Sequence, residues 1–539
     1  MTQYDAVVVG GGHNGLVAAA YLARSGLRTV VCEARDVVGG AAVTEQPFGP
    51  DYRVTSLSYV VSLLPPSLVA DLSLDRHGYH VYPQGPYFAP HSDGRYLALP
   101  DDRAERREQV AKFSDKDADA IGVWDQWLAE LASLLSPLLA VVPPKVGSVR
   151  PTDLLGQLSL LRHARGMSAR RAVEVTRLFS MSIADLLDDY FESDAMKALL
   201  SVSGVIGSWA GPRSAGTAYL MAHHHIGSVD GATGVWGFPR GGMGGVTQAM
   251  AAAARTFGVE IRTAAPVAQI TTRGGAVTGV LLENGEQLAA PTVVTTAHPA
   301  ISFLRLVDRA DLPADFVTDI ERWRSRSGVV KVNLAVDRLP EFTAKPGFDP
   351  AVHGGTIVLA ESLDEIEGGF QDAVNGRASR RPFADICIPS VFDDSLAPAG
   401  HHVVSMFTQW VPHEWSAAPH SAEIDAHADA VVARMEEVAP GFTSSVLHRQ
   451  VIGPHEMETE YGLVGGNIFH GELSPSQLFH ARPAAGYADL RTPVRGLYQA
   501  GSGTHGGGGV TGIPGRNAVR QVLHDLRRDR LRRRPRLRW

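Results

Sequence analysis

The chain has 539 residues, 44% of them hydrophobic and 20% charged. That is the balance of a globular protein with a large core and two or more domains, and it excludes a disordered or fibrous chain. Two cysteines, Cys32 and Cys387, lie far apart with no Cys-x-x-Cys, so neither a dithiol redox centre nor a cysteine-built zinc site is supported. The formal net charge of −7 hides an asymmetry: residues 527–539 carry eight Arg against one Asp, a net +7, which leaves −14 on the rest.

Asp5-Ala6-Val7-Val8-Val9 is a short run of mostly β-branched residues and predicts a buried strand. Gly10-Gly11-Gly12-His13-Asn14-Gly15 follows at once, then a helical stretch Leu16–Ser25, then a second buried strand Thr29–Cys32 that ends on Glu33. Strand, G-x-G-x-x-G, helix, strand and acid in this order form a dinucleotide fingerprint. Gly10 allows the tight turn, Gly12 lets the backbone approach a pyrophosphate, and Gly15 lets helix and strand pack closely. The free N–H groups of the helix N-terminus face the phosphates. Glu33, 18 residues beyond Gly15, can accept a hydrogen bond from a ribose hydroxyl.

The first strand starts about four residues after Met1, which leaves no room for a signal or transit peptide. No apolar run reaches the roughly 18–20 residues of a spanning helix. The expectation is a cytoplasmic protein. Leu131–Val142 is the longest apolar run, contains Pro137, and reads as a buried helix in preference to a membrane contact.

Past Glu33, Gly39-Gly40-Ala41-Ala42 permits another close approach of backbone to ligand. Residues 79–99 predict short strands joined by the turn Ser92-Asp93-Gly94. Residues 101–227 read as mostly helical, with candidates Ala104–Leu139, Asp153–Arg165, Ile183–Phe191 and Asp194–Ile206. Gly241–Gly245 opens a helix through about Phe257, followed by strands Val259–Thr263 and Val267–Thr272. Turns at Gly274-Gly275 and Asn284-Gly285 join Val277–Glu283 and Gln287–Ala290, and Val293–Thr296 closes the unit. A second sheet is expected from Val329–Asp337, Thr356–Leu359, Asp385–Pro389 and Val403–Gln409, covered by a helix His420–Val438. Leu497–Ala500 is a last buried strand. It runs into Gly501–Gly515, where eight of fifteen residues are glycine, and then into a helix with Ala518, Val519, Val522, Leu523 and Leu526 on one face.

Glycine-rich turns at the start, middle and end suggest one nucleotide domain threaded through the whole chain. The pattern resembles FAD-dependent oxidoreductases of the phytoene desaturase and amine oxidase superfamily, in particular the branch named pyridine nucleotide-disulfide oxidoreductase domain-containing protein 2. The resemblance is carried by Gly39–Glu45, Ser58–Leu64, Gly241–Gly244, Val336–Pro340, Gly465–His470 and Gly501–Val510. It implies an α/β fold: a Rossmann-like FAD-binding domain of the glutathione-reductase/amine-oxidase type, with an inserted mixed sheet-and-helix (α+β) substrate domain. The expected FAD-binding domain is discontinuous, 1–75, 236–300 and 486–526. The substrate domain is 76–235 and 301–485, and 527–539 form a basic tail.

The resemblance also implies FAD as cofactor and a role for each matching residue. Gly10, Gly12, His13, Asn14 and Gly15 form the first phosphate turn. Glu33, with Ala34 and Arg35 beside it, holds the adenosine ribose. Gly39, Gly40 and Ala41 lie toward the flavin, and Val267 meets the adenine with its backbone. Gly501 and Ser502 meet the pyrophosphate; family members often carry an acid where Ser502 stands. The helix that begins near Val510, Thr511 and Gly512 aims its positive end at the flavin C2 carbonyl.

The branch name implies more than the residues carry. A second dinucleotide fingerprint fails at Gly242-Met243-Gly244, because Thr247 stands where the third glycine would fall. One dinucleotide and no dithiol relay are therefore expected. No catalytic base is identified; His470 and His505 are the candidates, against a role in holding loops. His223-His224-His225 does not read as a metal site, since consecutive residues cannot easily face one ion. The expected reaction is hydride transfer from an apolar or elongated small molecule to flavin. The alternatives are a flavoprotein regulator acting through a partner and a redox-neutral polyene isomerase. Nucleic acid is not an expected partner; the Arg-rich tail is a candidate for peripheral contact with anionic lipid.

Overall fold

The computed structural model describes residues 2–145, 154, 156–158, 165 and 168–533. Strand Ala6–Val9 is the centre of a five-stranded parallel sheet, in the order Glu260–Arg262, Thr29–Cys32, Ala6–Val9, Val293–Thr295, Leu497–Gln499. Apart from the edge strand Glu260–Arg262, its strands are buried on both faces, which is why they read as largely apolar runs. Ala6 and Val8 pack under the helices His13–Arg24, Met243–Thr256 and Ile513–Arg533. Val7 and Val9 face a second layer. That layer is a four-stranded sheet in the order Thr2–Gln3, Gln287–Ala289, Ala276–Leu282, Val267–Arg273.

The other large sheet has seven strands, in the order Val446–Ile452, Val329–Val336, His402–Gln409, Phe383–Cys387, Thr356–Leu359, Tyr87–Pro90, Tyr96–Leu99. Helix Ser421–Val438 covers one face; its Ile424, Ala428, Val431 and Met435 meet Val330, Val332, Ile386 and Met406. The opposite face turns toward the nucleotide domain and the helical region.

Where the sequence predicts one helix over Ala104–Leu139, the chain forms two, Arg103–Ala111 and Asp115–Ala140. Ser114 is the reason: its Oγ accepts from Asp117 N at 3.2 Å and caps the second helix. Asp117 in turn accepts from Glu192 N and Ser193 N at 2.7 and 2.9 Å, and so ties this helix to the turn before Asp194–Val205. The helix predicted over Ile183–Phe191 stops at Asp188. Most of the predicted helix Asp153–Arg165 lies outside the described residues; of those described, 154 and 156–158 are helical. The Leu131–Val142 run buries one face, Leu131, Leu135 and Leu139, in the helical core. The last helix runs past Leu526 into the basic tail as far as Arg533, as suits an Arg-rich stretch; residues 534–539 lie outside the described part. Among the described residues no helix is long and apolar enough to cross a membrane.

Gly15 shows how tightly the first turn is built. An added Cβ there would come within 2.0 Å of the Gly10 carbonyl oxygen. A Gly15→Ala chain is expected to lose about 1–3 kcal/mol of stability from this clash, measurable by denaturant unfolding. An unchanged midpoint would contradict this packing.

Candidate active site

The strand order places both glycine loops at one edge. Thr295 pairs with Val9 on one side and Gln499 on the other, so Gly10 and Gly501 leave the sheet close together, at its carboxyl end. A cavity of about 560 Å³ opens there. It runs from the ends of the parallel strands to the face of the seven-stranded sheet opposite helix Ser421–Val438, between the two domains expected from the sequence.

At the first end, Gly10, Gly12, His13 and Asn14 line the cavity. Helix His13–Arg24 begins with no side-chain cap and no acid in its first turn, so its N–H groups are free for an anion. The His13 Nε2 is buried with no hydrogen-bond partner. Gly11 N donates to Glu33 Oε2 at 2.6 Å and Arg35 N donates to Oε1 at 2.9 Å, which fixes the carboxylate at the cavity wall. Ala34 and Arg35 line the wall beside it. Arg35 pairs with Glu45 and lies 4.6 Å from the Tyr461 ring centroid. Gly39 and Gly40 both have positive φ, and Gly39 N donates to Gly11 O at 3.0 Å, so the two glycine turns are joined. Gly40, Ala41 and Val267 are further lining residues.

From the C-terminal loop, Ser502 and Val510 reach the cavity. Asn14 Nδ2 donates to Ser502 Oγ at 3.3 Å, a bond across 488 positions that holds the two loops together. Gly15, Gly501, Thr511 and Gly512 do not line it. They stand one layer behind: an added Cβ on Gly501 would meet Thr296 O at 2.5 Å, and the Thr511 hydroxyl donates to Gly506 O at 2.8 Å.

The two histidine candidates part company. His470 lines the cavity, with φ of 55° and its Nδ1 buried without a partner. Burial, then the Arg482 charge, push it down to about 4. His505 does not line the cavity; its Nε2 donates to Leu138 O at 2.9 Å and its ring packs on Phe479. Two of the triple histidines likewise brace the fold near the cavity: His223 Nε2 donates to Gly508 O and His224 Nδ1 to Ser203 O, each at 2.8 Å.

Several contributors were not singled out in the sequence. Arg482 is buried, and its Nη2 donates to Phe469 O and Ser502 O, both at 2.9 Å, tying the His470 loop to the C-terminal loop. At the far end, Tyr59, Tyr87, Thr356, Asp385 and Phe407 close the cavity, with Lys331 behind them. Lys331 Nζ donates to Asn333 Oδ1 at 2.6 Å and to Ser405 Oγ. Burial lowers Lys331 to about 7 and raises Asp385 to about 7. The signal was present: Lys331, Asn333 and Asp385 are polar residues inside otherwise apolar strands.

A family model described as flavin containing amine oxidoreductase matches residues 15–523. The chain belongs to that family. It is an FAD-dependent oxidoreductase. The rat protein named pyridine nucleotide-disulfide oxidoreductase domain-containing protein 2 (Rattus norvegicus) is 40% identical over 97% of this chain and 94% of its own length. A limonene dehydrogenase component from Castellaniella defragrans is 24% identical over 97% of this chain and 95% of its own. Among solved structures, cyclohexylamine oxidase from Brevibacterium oxydans shares the fold, with a TM-score of 0.59 at 18% identity, over 97% of this chain and 99% of that one. The residues present fit the cofactor: an uncapped helix start, an orphaned His13 nitrogen and a fixed Glu33 carboxylate lie along one wall.

Glu33→Ala is expected to weaken FAD binding about ten-fold or more, the scale of a hydrogen bond to a charged group, as read by flavin fluorescence titration. Unaltered affinity would contradict the role given to Glu33. A pH dependence also follows. Burial lowers His13, His223, His427, His470 and His505 to about 4 each. In the unfolded chain they take up protons near pH 6.5, so between about pH 6.5 and 4 the unfolded state binds more protons and stability is lost as the pH is lowered. Each is worth on the order of 3 kcal/mol once pH is below about 4. Asp385, raised to about 7, acts oppositely but alone. The apo-protein is therefore expected to melt at lower temperature at pH 5 than at pH 7. A flat or rising melting temperature toward pH 5 would contradict it.

Proposed function

We propose that the protein oxidises an apolar or elongated organic molecule by passing a hydride from one of its carbons to FAD. The observation that carries this reading is the wall of the cavity between its two polar ends. Leu57, Val60, Leu63, Ile206, Trp236 and Phe407 line it. Such a surface holds a substrate by excluded water and shape, with few polar contacts to fix it. The similarity to a limonene dehydrogenase component, a protein named for a hydrocarbon substrate, agrees with it.

FAD supplies the hydride acceptor when bound. The chain's part is to bind, orient and keep water out. The first glycine turn and Glu33 hold the dinucleotide. His470 is kept neutral by burial and the Arg482 charge, so it meets the substrate region as a hydrogen-bonding group without charge. Removal of a hydride from a carbon beside a double bond or a hydroxyl leaves a stabilised cation, and the proton this cation then loses passes out to solvent, so no strong base is needed in the wall. Of the four acids that line the cavity, Glu283 and Glu460 are exposed, Glu33 is held by the Gly11 and Arg35 N–H groups, and burial drives Asp385 toward its neutral form.

The purified protein is expected to be yellow, and its flavin to bleach under anaerobic conditions with limonene or another terpene but not with short hydrophilic amines. Colourless protein that FAD cannot reconstitute would overturn the reading. Bleaching by hydrophilic amines alone would overturn the substrate class.

A further inference from the structure

The far end of the cavity holds a feature that a purely apolar substrate leaves unused. Lys331, Phe407 and Asp385 pair across three neighbouring strands, so their side chains leave the same face of the seven-stranded sheet. The alternate residues, Val330, Val332, Ile386 and Met406, pack in the core on the other face. The strands could have been apolar on both faces, yet the cavity face carries a lysine and an aspartate.

Asp385 lines the cavity at 8% exposure, and its Oδ1 has no hydrogen-bond partner. A buried carboxyl oxygen without a donor is costly, and native structures rarely leave one so. The neighbouring donors are occupied or limited. Gln84 Nε2 donates to Thr356, and Lys331 donates to Asn333 and Ser405. Tyr59 approaches the same carboxyl with its hydroxyl, and Tyr87 stands beside it on the wall. The titratable groups facing Asp385 are thus Lys331, Tyr59, Tyr87 and Cys387.

We propose that Asp385 anchors a hydroxyl group of the substrate, so that the substrate is an alcohol with an apolar body. This rests on the flavoenzyme reading of the cavity and narrows its substrate class. An ammonium would also supply donors to Asp385. It would, however, bring a full charge into a buried end of the cavity where burial already favours the neutral forms of Lys331 and Asp385. A neutral donor satisfies the free oxygen without the cost of burying a charge.

The test uses the FAD-loaded protein and three probes of equal heavy-atom count: 1-hexanol, its isomer methyl pentyl ether, and hexylamine. Binding is read from the perturbation of the flavin absorption spectrum. The alcohol is expected to bind about five- to ten-fold more tightly than the ether, the scale of one buried hydrogen bond, and the amine no more tightly than the ether. Asp385→Val is expected to abolish the preference for alcohol while leaving ether affinity unchanged. If that variant does not fold, the ratio of alcohol to ether in the parent protein decides alone. Equal affinity for alcohol and ether, tighter binding of the amine, or no binding of any probe overturns the anchor while a bound flavin leaves the flavoenzyme reading standing. A protein that takes up no FAD removes both.

Discussion

Strand Val293–Thr295 is hydrogen-bonded to Ala6–Val9 on one side and to Leu497–Gln499 on the other. Nearly five hundred residues separate the two outer strands, yet all three run parallel and end together. Parallel strands direct the turns that follow them to one edge, where ligands of such sheets bind. The Gly10–Gly15 turn and the Gly501 loop therefore meet, and the Asn14 to Ser502 hydrogen bond closes the seam. Buried Arg482 then fastens the His470 loop to the same place through carbonyl oxygens. If the middle strand did not pair on both sides, the cavity would have no roof.

The other end of the cavity follows from the two-residue period of a strand. One face of the seven-stranded sheet serves the core under helix Ser421–Val438, and the other is left to the ligand. Polar groups on that ligand face stay buried, so burial dominates their chemistry. It drives the acid toward its neutral form and the amine toward its own. The same force keeps the nearby histidines uncharged. This end of the cavity is thus rich in titratable residues and poor in formal charge, a surface suited to a largely apolar molecule.

The dinucleotide end was legible because its signal is local: turn glycines, a short strand on each side and Glu33 lie within one stretch of chain. The substrate end was not, because Lys331 and Asp385 meet only through strand register and Tyr59 reaches them from a loop, which a linear reading does not display. Lys331 and Asn333 could have been flagged as polar residues two apart in an apolar strand. Strand Val446–Ile452 escaped because it is an edge strand whose first residues are largely exposed, so its pattern is weak. His470 and His505 looked alike in sequence, and only the fold separates a wall residue from one that holds the Leu138 carbonyl. The break at Ser114 had a cap signal, Ser-x-x-Asp, that the strong helical pattern on both sides obscured.

The central claim is that two distant glycine loops hold one cofactor. Hydrogen exchange with and without FAD measures it most directly. The account predicts that FAD slows exchange in peptides covering Gly10–Ala41 and in peptides covering Gly501–Gly512, with the same dependence on FAD concentration. Protection confined to one of the two segments, or saturating at different FAD concentrations in each, would contradict it.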